Sequence, residues 1–133
     1  RKHNISMHLE DDLLMANMDA RLIIQVLVNL INNAIKYTHE NSNISLNARR
    51  VEDKILIEVQ DDGNGVLHPD QLFEMFYTEN NRGGDTRRGM GLGLSLCKSI
   101  IQSHGGTIWV ENVTPHGACF KFVLDAVEVK LYE

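Results

Sequence analysis

The chain has 133 residues and a formal net charge of -5, with 43% hydrophobic and 23% charged residues. These values suit one soluble domain with a real core, and the charge argues against nucleic acid or an anionic membrane as the main partner. No apolar run reaches the length of a membrane span and no signal peptide is visible. The first residue is Arg1, so the chain is read as a fragment of a longer protein whose membrane anchor would lie upstream.

In chain order, Ile5, Met7 and Leu9 alternate with polar residues and predict a strand. Residues 14–18 suggest a second short one. Asp19 is placed to cap a helix running to about Tyr37. Ile44, Leu46 and Ala48 alternate, as do Ile55, Ile57 and Val59, with a polar turn at 51–54 that reads as a hairpin. Residues 69–76 suggest a short helix. Residues 78–89 are polar and aperiodic, a loop by composition. A helix follows from about Leu92 to His104 and stops at Gly105. Residues 107–113 and 118–125 predict a second hairpin turning at 114–117. Val127, Val129 and Leu131 alternate in the tail.

The two cysteines, Cys97 and Cys119, lie among apolar residues and read as small core side chains. The six histidines show no metal-ligand spacing. The mixed order of elements predicts an α+β two-layer sandwich in a single domain over 1–133. Its sheet is mixed and mostly antiparallel, covered by helices on one face.

Three stretches point to chemistry. On a helical wheel, Gln25, Asn29, Asn33 and Lys36 share one stripe, opposite Ile23, Leu27, Leu30, Ile31 and Ala34. Amide oxygens beside a lysine suit a hydrated Mg²⁺ and a polyphosphate, although a solvated face has the same pattern. Asp61-Asp62-Gly63-Asn64-Gly65 ends a strand. It allows close approach of a ligand, and its carboxylate can accept from an exocyclic amine; a plain turn also fits. Gly89-Met90-Gly91-Leu92-Gly93-Leu94 opens a helix, where free N–H groups and the helix dipole favour phosphate. No Gly-Lys-Ser/Thr follows, so it is not a P-loop, and no strand precedes it as a dinucleotide fingerprint requires.

Together and in this order, the stretches resemble the boxes of the histidine-kinase catalytic domain in the Bergerat or GHKL ATP-binding superfamily. Residues 25–38 resemble the N box, 61–65 the G1 box, 73–77 the F box and 89–94 the G2 box. His104-Gly105-Gly106-Thr107-Ile108 and Gly117-Ala118-Cys119-Phe120 are similar to the family's closing strands. The ending at 117–120 and Ala48-Arg49-Arg50-Val51 further resemble the potassium-sensing kinases of the Kdp system.

The resemblance implies ATP and Mg²⁺ as cofactors and gives each position a role. Asn33 would ligate the metal. Asn29, one turn earlier, would support metal and phosphates, and Lys36 would contact phosphate; Asn29 and Lys36 are the candidate catalytic positions. Tyr37 would pack near adenine and Asp61 would read its amino group, in a pocket shaped by Gly63 and Gly65. Phe73 and Phe76 would anchor the lid. Gly89, Gly91 and Gly93 would hinge it and admit the phosphates, Leu92 and Leu94 would be nucleotide-binding positions between and after them, and Arg82, Arg87 and Arg88 would lie within reach. Asn64 between the G1 glycines, Thr78 after the F box and Met90 in the G2 box depart from common family patterns.

Relatives that hydrolyse ATP carry a glutamate one turn before the metal asparagine to activate water. Here Asn29 stands there, and an amide is no general base. The reading is therefore γ-phosphoryl transfer to a histidine on a separate helical phosphoacceptor domain of the same protein, with a response regulator downstream. Alternatives are a GHKL-type hydrolase and a nucleotide-binding regulatory module or serine kinase of the anti-sigma type. The fragment is expected to be monomeric and cytoplasmic, within a membrane-anchored sensor.

Overall fold

The structure, a computed structural model, describes residues 3–9, 16, 18–75, 77 and 93–127. In chain order these form β1 (Asn4–Leu9), α1 (Ala20–Lys36), β2 (Asn43–Val51), β3 (Lys54–Asp61), α2 (Gly93–Ser103), β4 (Thr107–Asn112) and β5 (Ala118–Asp125). Both hairpins form as the alternation predicts: β2 pairs antiparallel with β3, and β4 with β5. β3 joins the hairpins through β5, and β1 adds a parallel edge to β2, giving the order β1-β2-β3-β5-β4.

Asp19 caps α1 as expected: its carboxylate accepts from the Arg21 N–H at 3.0 Å. The buried stripe of α1 is Ile23, Val26, Leu30 and Ala34, while Leu27 and Ile31 pack at its margin. Val26, not expected in the stripe, is fully buried because α1 is wedged between the sheet and α2. Both helices lie on one face of the sheet. Beneath them Ile44, Val59, Phe120, Phe122, Leu124, Ile108 and Val110 close the core. Burying Phe120 and Phe122 completely contributes on the order of 2–3 kcal/mol each to folding.

One expectation changes. Residues 69–75 are not a helix but a run of tight turns, with i→i+3 bonds from Gln71 N to His68 O, Glu74 N to Gln71 O and Tyr77 N to Glu74 O. Pro69 has no N–H to give, and the stretch is too short to nucleate an α-helix. The alternation in β1 marks a strand but no buried face. All six residues are exposed, because β1 is an edge strand that neither helix covers. Of the expected strand at 14–18, Ala16 forms one antiparallel bridge to Ala126, and most of the rest lies outside the described residues, as does the tail beyond Val127.

Candidate functional site

The acidic-glycine turn at 61–66 leaves the end of β3. Along β3 the apolar positions Ile57 and Val59 face the helices, and the next in phase is Asp61, so a carboxylate sits where a core residue would otherwise be. It is 2% exposed. A buried carboxylate needs donors, and Asp61 Oδ1 accepts from the Gly63 N–H at 2.9 Å and the Ala118 N–H at 3.3 Å. Asp62 is tied elsewhere: its carboxylate accepts from the backbone and side-chain N–H groups of Asn43, at 2.9 Å each. Of the two acids, only Asp61 belongs to the helix-side face.

The loop joining β4 to β5 encloses this turn. His116 Nδ1 donates to Asp62 O at 2.8 Å, and the Val113 N–H donates to Gly117 O at 3.0 Å. Gly117 has φ +122°, and a Cβ there would stand 2.2 Å from Asp61 O, so only glycine fits. Gly65 has φ +83° and lies against Asn112 and Gly117. Gly63 is packed on Thr38, whose Cγ2 would be 2.8 Å from an added Cβ.

That contact brings α1 to the turn. Thr38, just past the helix, is buried; its Oγ1 donates to Ala34 O at 2.7 Å and receives a hydrogen bond from His3 Nε2 at 2.9 Å. Tyr37 caps α1 and is buried, and Lys36 Nζ lies 5.1 Å over its ring. Asn29, Asn33 and Lys36 are half-buried, whereas Gln25 and Asn32 are exposed, so the polar stripe is more than a solvated face over its C-terminal half. Asn29 also faces α2, where its amide lies near the Cys97 thiol. Cys97 is fully buried, donates to Val26 O at 3.8 Å, and is pushed up to about 11 chiefly by burial, with the nearby Asn29 amide acting the other way. Both cysteines are free and buried, as expected.

The structure therefore unites the N-box and G1-box positions and joins Asn29 to the first turns of α2, which begins at Gly93. A Cβ on Gly93 would meet nothing within 4 Å among the described residues, so packing there does not demand glycine. Leu94 packs against the core. Phe73 is buried edge-on to Phe120, 6.0 Å between centroids. Phe76, Arg82, Arg87, Arg88, Gly89, Gly91 and Leu92 lie outside the described residues.

Among the described residues, no three His, Cys, Asp or Glu side chains could hold a metal ion together. Mg²⁺ at a nucleotide needs only one or two protein oxygens, with phosphates and water completing the octahedron, and the half-buried Asn33 side chain carries an oxygen of that kind. A cavity of about 270 Å³ at Asp61 and Asp62 opens on the other face of the sheet, lined by Ser45, Gln60 and His116 among others, and none of Asn29, Asn33 and Lys36 lines it.

Two residues of this neighbourhood escaped the sequence reading, Thr38 and Asn112. The signal for Asn112 was present: Ile108 and Val110 are in phase with it on β4, just as Ile57 and Val59 are with Asp61 on β3. Register places Asp61 opposite Ala118 and Ala118 opposite Asn112, in one row across the sheet.

Residues 18–128 match the family profile described as histidine kinase-, DNA gyrase B-, and HSP90-like ATPase. The chain belongs to this HATPase_c family. Within it, the chain is 37% identical over 124 residues to the sensor protein KdpD of Clostridium acetobutylicum, covering 92% of the chain and 14% of KdpD. It is 46% identical over 110 residues to the adaptive-response sensory kinase SasA of Crocosphaera subtropica, covering 80% of the chain and 28% of SasA. The chain thus spans well under a third of either relative. It superposes on the catalytic domain of histidine kinase ThkA, in nucleotide-free form, with a TM-score of 0.80 and 32% identity, over 92% of this chain and 80% of that one. ThkA in complex with the response regulator protein TrrA matches at a TM-score of 0.76 and 29% identity, over 94% and 34%. These similarities make this HATPase_c chain an ATP-binding domain of the histidine-kinase type, with the α+β sandwich that the motifs imply.

Proposed function

We propose that the chain binds ATP·Mg²⁺ on the helix-covered face and donates the γ-phosphoryl group to a histidine of a separate helical domain in the same protein. A response regulator then receives it from that domain. Asp61 accepts from the adenine amino group, while Gly63 and Gly65 let the base approach the backbone. Tyr37 lines the adenine side. Asn33 ligates the metal, and Asn29 and Lys36 support the phosphates, joined by Arg82, Arg88 and the glycines at 89, 91 and 93. Bound Mg²⁺ supplies charge neutralisation at the phosphates.

Transfer breaks the bond from the γ-phosphorus to the ADP oxygen and forms one to the acceptor imidazole nitrogen. Positioning and charge do most of this work, and no general base from this chain is needed. The observation that favours transfer over hydrolysis is Asn29: half-buried beside Cys97 and unable to take a proton from water.

Among the described residues, no helix is long and apolar enough to cross a membrane. We place this domain on the cytoplasmic side of a membrane-anchored sensor, as a monomer when isolated. The test is radiolabelling with γ-³²P-ATP. The chain alone is expected to bind ATP·Mg²⁺ and remain unlabelled, whereas adding the helical acceptor domain produces label on that domain. Stoichiometric self-labelling, or rapid phosphate release without acceptor, would overturn the transfer reading.

A further inference from the structure

Asn112 lies at the end of β4, outside every motif described above, and its side chain grips the backbone of the acidic-glycine turn. The Val66 N–H donates to Asn112 Oδ1 at 2.7 Å, and Asn112 Nδ2 donates to Val66 O at 2.9 Å. The amide thus reproduces the two-bond exchange of a paired strand residue and extends the sheet sideways onto the turn. The same Oδ1 would lie 2.7 Å from a Cβ on Gly65, so the turn is seated directly on this side chain. Val66 is itself buried, which anchors the far side of the gripped residue.

Asn112 shares a row with Asp61. Ala118 stands between them, paired with both and donating to Asp61 Oδ1. One row of the sheet therefore holds the carboxylate at one point and the exit of its turn at another. The backbone from Asp61 to Val66 spans these two fixed points.

We propose that Asn112 is a positioning residue for nucleotide binding. By fixing Gly65 and Val66, it sets the depth of the turn and hence where Asp61 presents its carboxylate to the base. This rests on the reading of Asp61 as the adenine contact. A side chain that fixes the adenine end alone affects nucleotides equally with and without Mg²⁺, which separates it from any residue acting through the metal.

The experiment titrates ADP and a non-hydrolysable ATP analogue against the chain, in Mg²⁺ and in EDTA, for Asn112→Ala, Asn112→Asp, Glu111→Ala and Asp61→Asn. Losing a reciprocal pair of hydrogen bonds corresponds to roughly tenfold weaker binding. Asn112→Ala is expected to show that loss by the same factor in both buffers, with hydrogen exchange at the Val66 amide accelerated and the amides of Ile57 and Val59 unchanged. Asn112→Asp keeps the acceptor for Val66 N–H and recovers part of the affinity. Glu111→Ala, exposed and without a bond to the turn, binds like the parent. If Asn112→Ala binds normally while Asp61→Asn does not, the positioning role is overturned and the adenine reading stands. If Asp61→Asn binds normally, both fall. A loss for Asn112→Ala confined to Mg²⁺, or exchange accelerated throughout β3, also overturns the proposal.

Discussion

The two ends of the proposed nucleotide site, one for phosphate and one for adenine, are built in opposite ways. The phosphate end is a stripe on one helix: Asn29, Asn33 and Lys36 are brought together by 3.6-residue periodicity within a single element. The adenine end is assembled from segments distant in sequence. Asp61 is held by Ala118, Asp62 by Asn43 and His116, Gly63 packs on Thr38, and Val66 is gripped by Asn112. A helix stripe survives the loss of one neighbour, because the backbone that positions it is hydrogen-bonded to itself. A turn held by four other segments depends on each of them, so substitutions away from the ligand should matter far more at the adenine end.

The most damaging test of that contrast is Gly117→Ala. The added methyl meets Asp61 O at 2.2 Å and the residue keeps a left-handed φ, so something must shift. Strain and overpacking together predict a loss of about 3–4 kcal/mol, read by denaturant unfolding. The matched change on the other end, Asn32→Ala on the exposed face of α1, is expected to stay within about 0.5 kcal/mol or to stabilise the helix. Comparable losses for the two would break the comparison.

Next in size is Asp61→Asn. It keeps the shape but removes the charge and turns one carboxylate oxygen into an N–H donor facing the adenine amino group, and adenine-nucleotide binding is expected to fall about 100-fold by calorimetry, with or without Mg²⁺. Asn33→Ala should cost about tenfold in Mg²⁺ and nothing in EDTA, because one amide ligand among phosphates and water is all it removes. Equal losses in both buffers would show that Asn33 serves the fold rather than the metal.

The same contrast explains what could be read in the sequence. The α1 helix, the Asp19 cap and both hairpins follow from local periodicity and turn chemistry, and each is found where expected. Asp61 was legible as an acid at a strand end, but its confinement was not, because the Ala118 N–H meets it only after β3 pairs with β5. Thr38 and Asn112 are ordinary residues whose roles arise from register. β1 is the strand its alternation predicts, but its exposure was not legible, because burial depends on whether a helix covers that edge, and none does. The turns at 69–75 escaped for a related reason, since apolar spacing around Leu72 and Phe73 matches a helix as well as a run of turns that buries the same two side chains.

The smallest expected effect uses a thiol built into each end. Cys97 lies in the helix seam beside Asn29, and Cys119 on β5 is paired with Gln60 of β3. Burial pushes Cys97 up to about 11 and Cys119 up to about 12, the latter with help from the nearby Glu58 carboxylate. At pH 8 neither thiol is ionised in the folded chain, so labelling by a thiol reagent reports opening rather than intrinsic reactivity. Both shifts raise an acid above its unfolded value, so the unfolded state binds fewer protons from about pH 9 upward. Stability is therefore expected to be flat from pH 7 to 8.5 and to decline through the range up to about 11–12. With single-cysteine variants at pH 8, Cys97 should label faster than Cys119. Two helices can part at their seam while the hydrogen-bonded centre of the sheet stays closed, whereas exposing Cys119 requires β5 to leave β3 and with it the support of Asp61. Equal rates, both matching global unfolding, would mean that the seam and the sheet open as one unit, and the difference between the two ends would then lie in geometry alone and not in local stability.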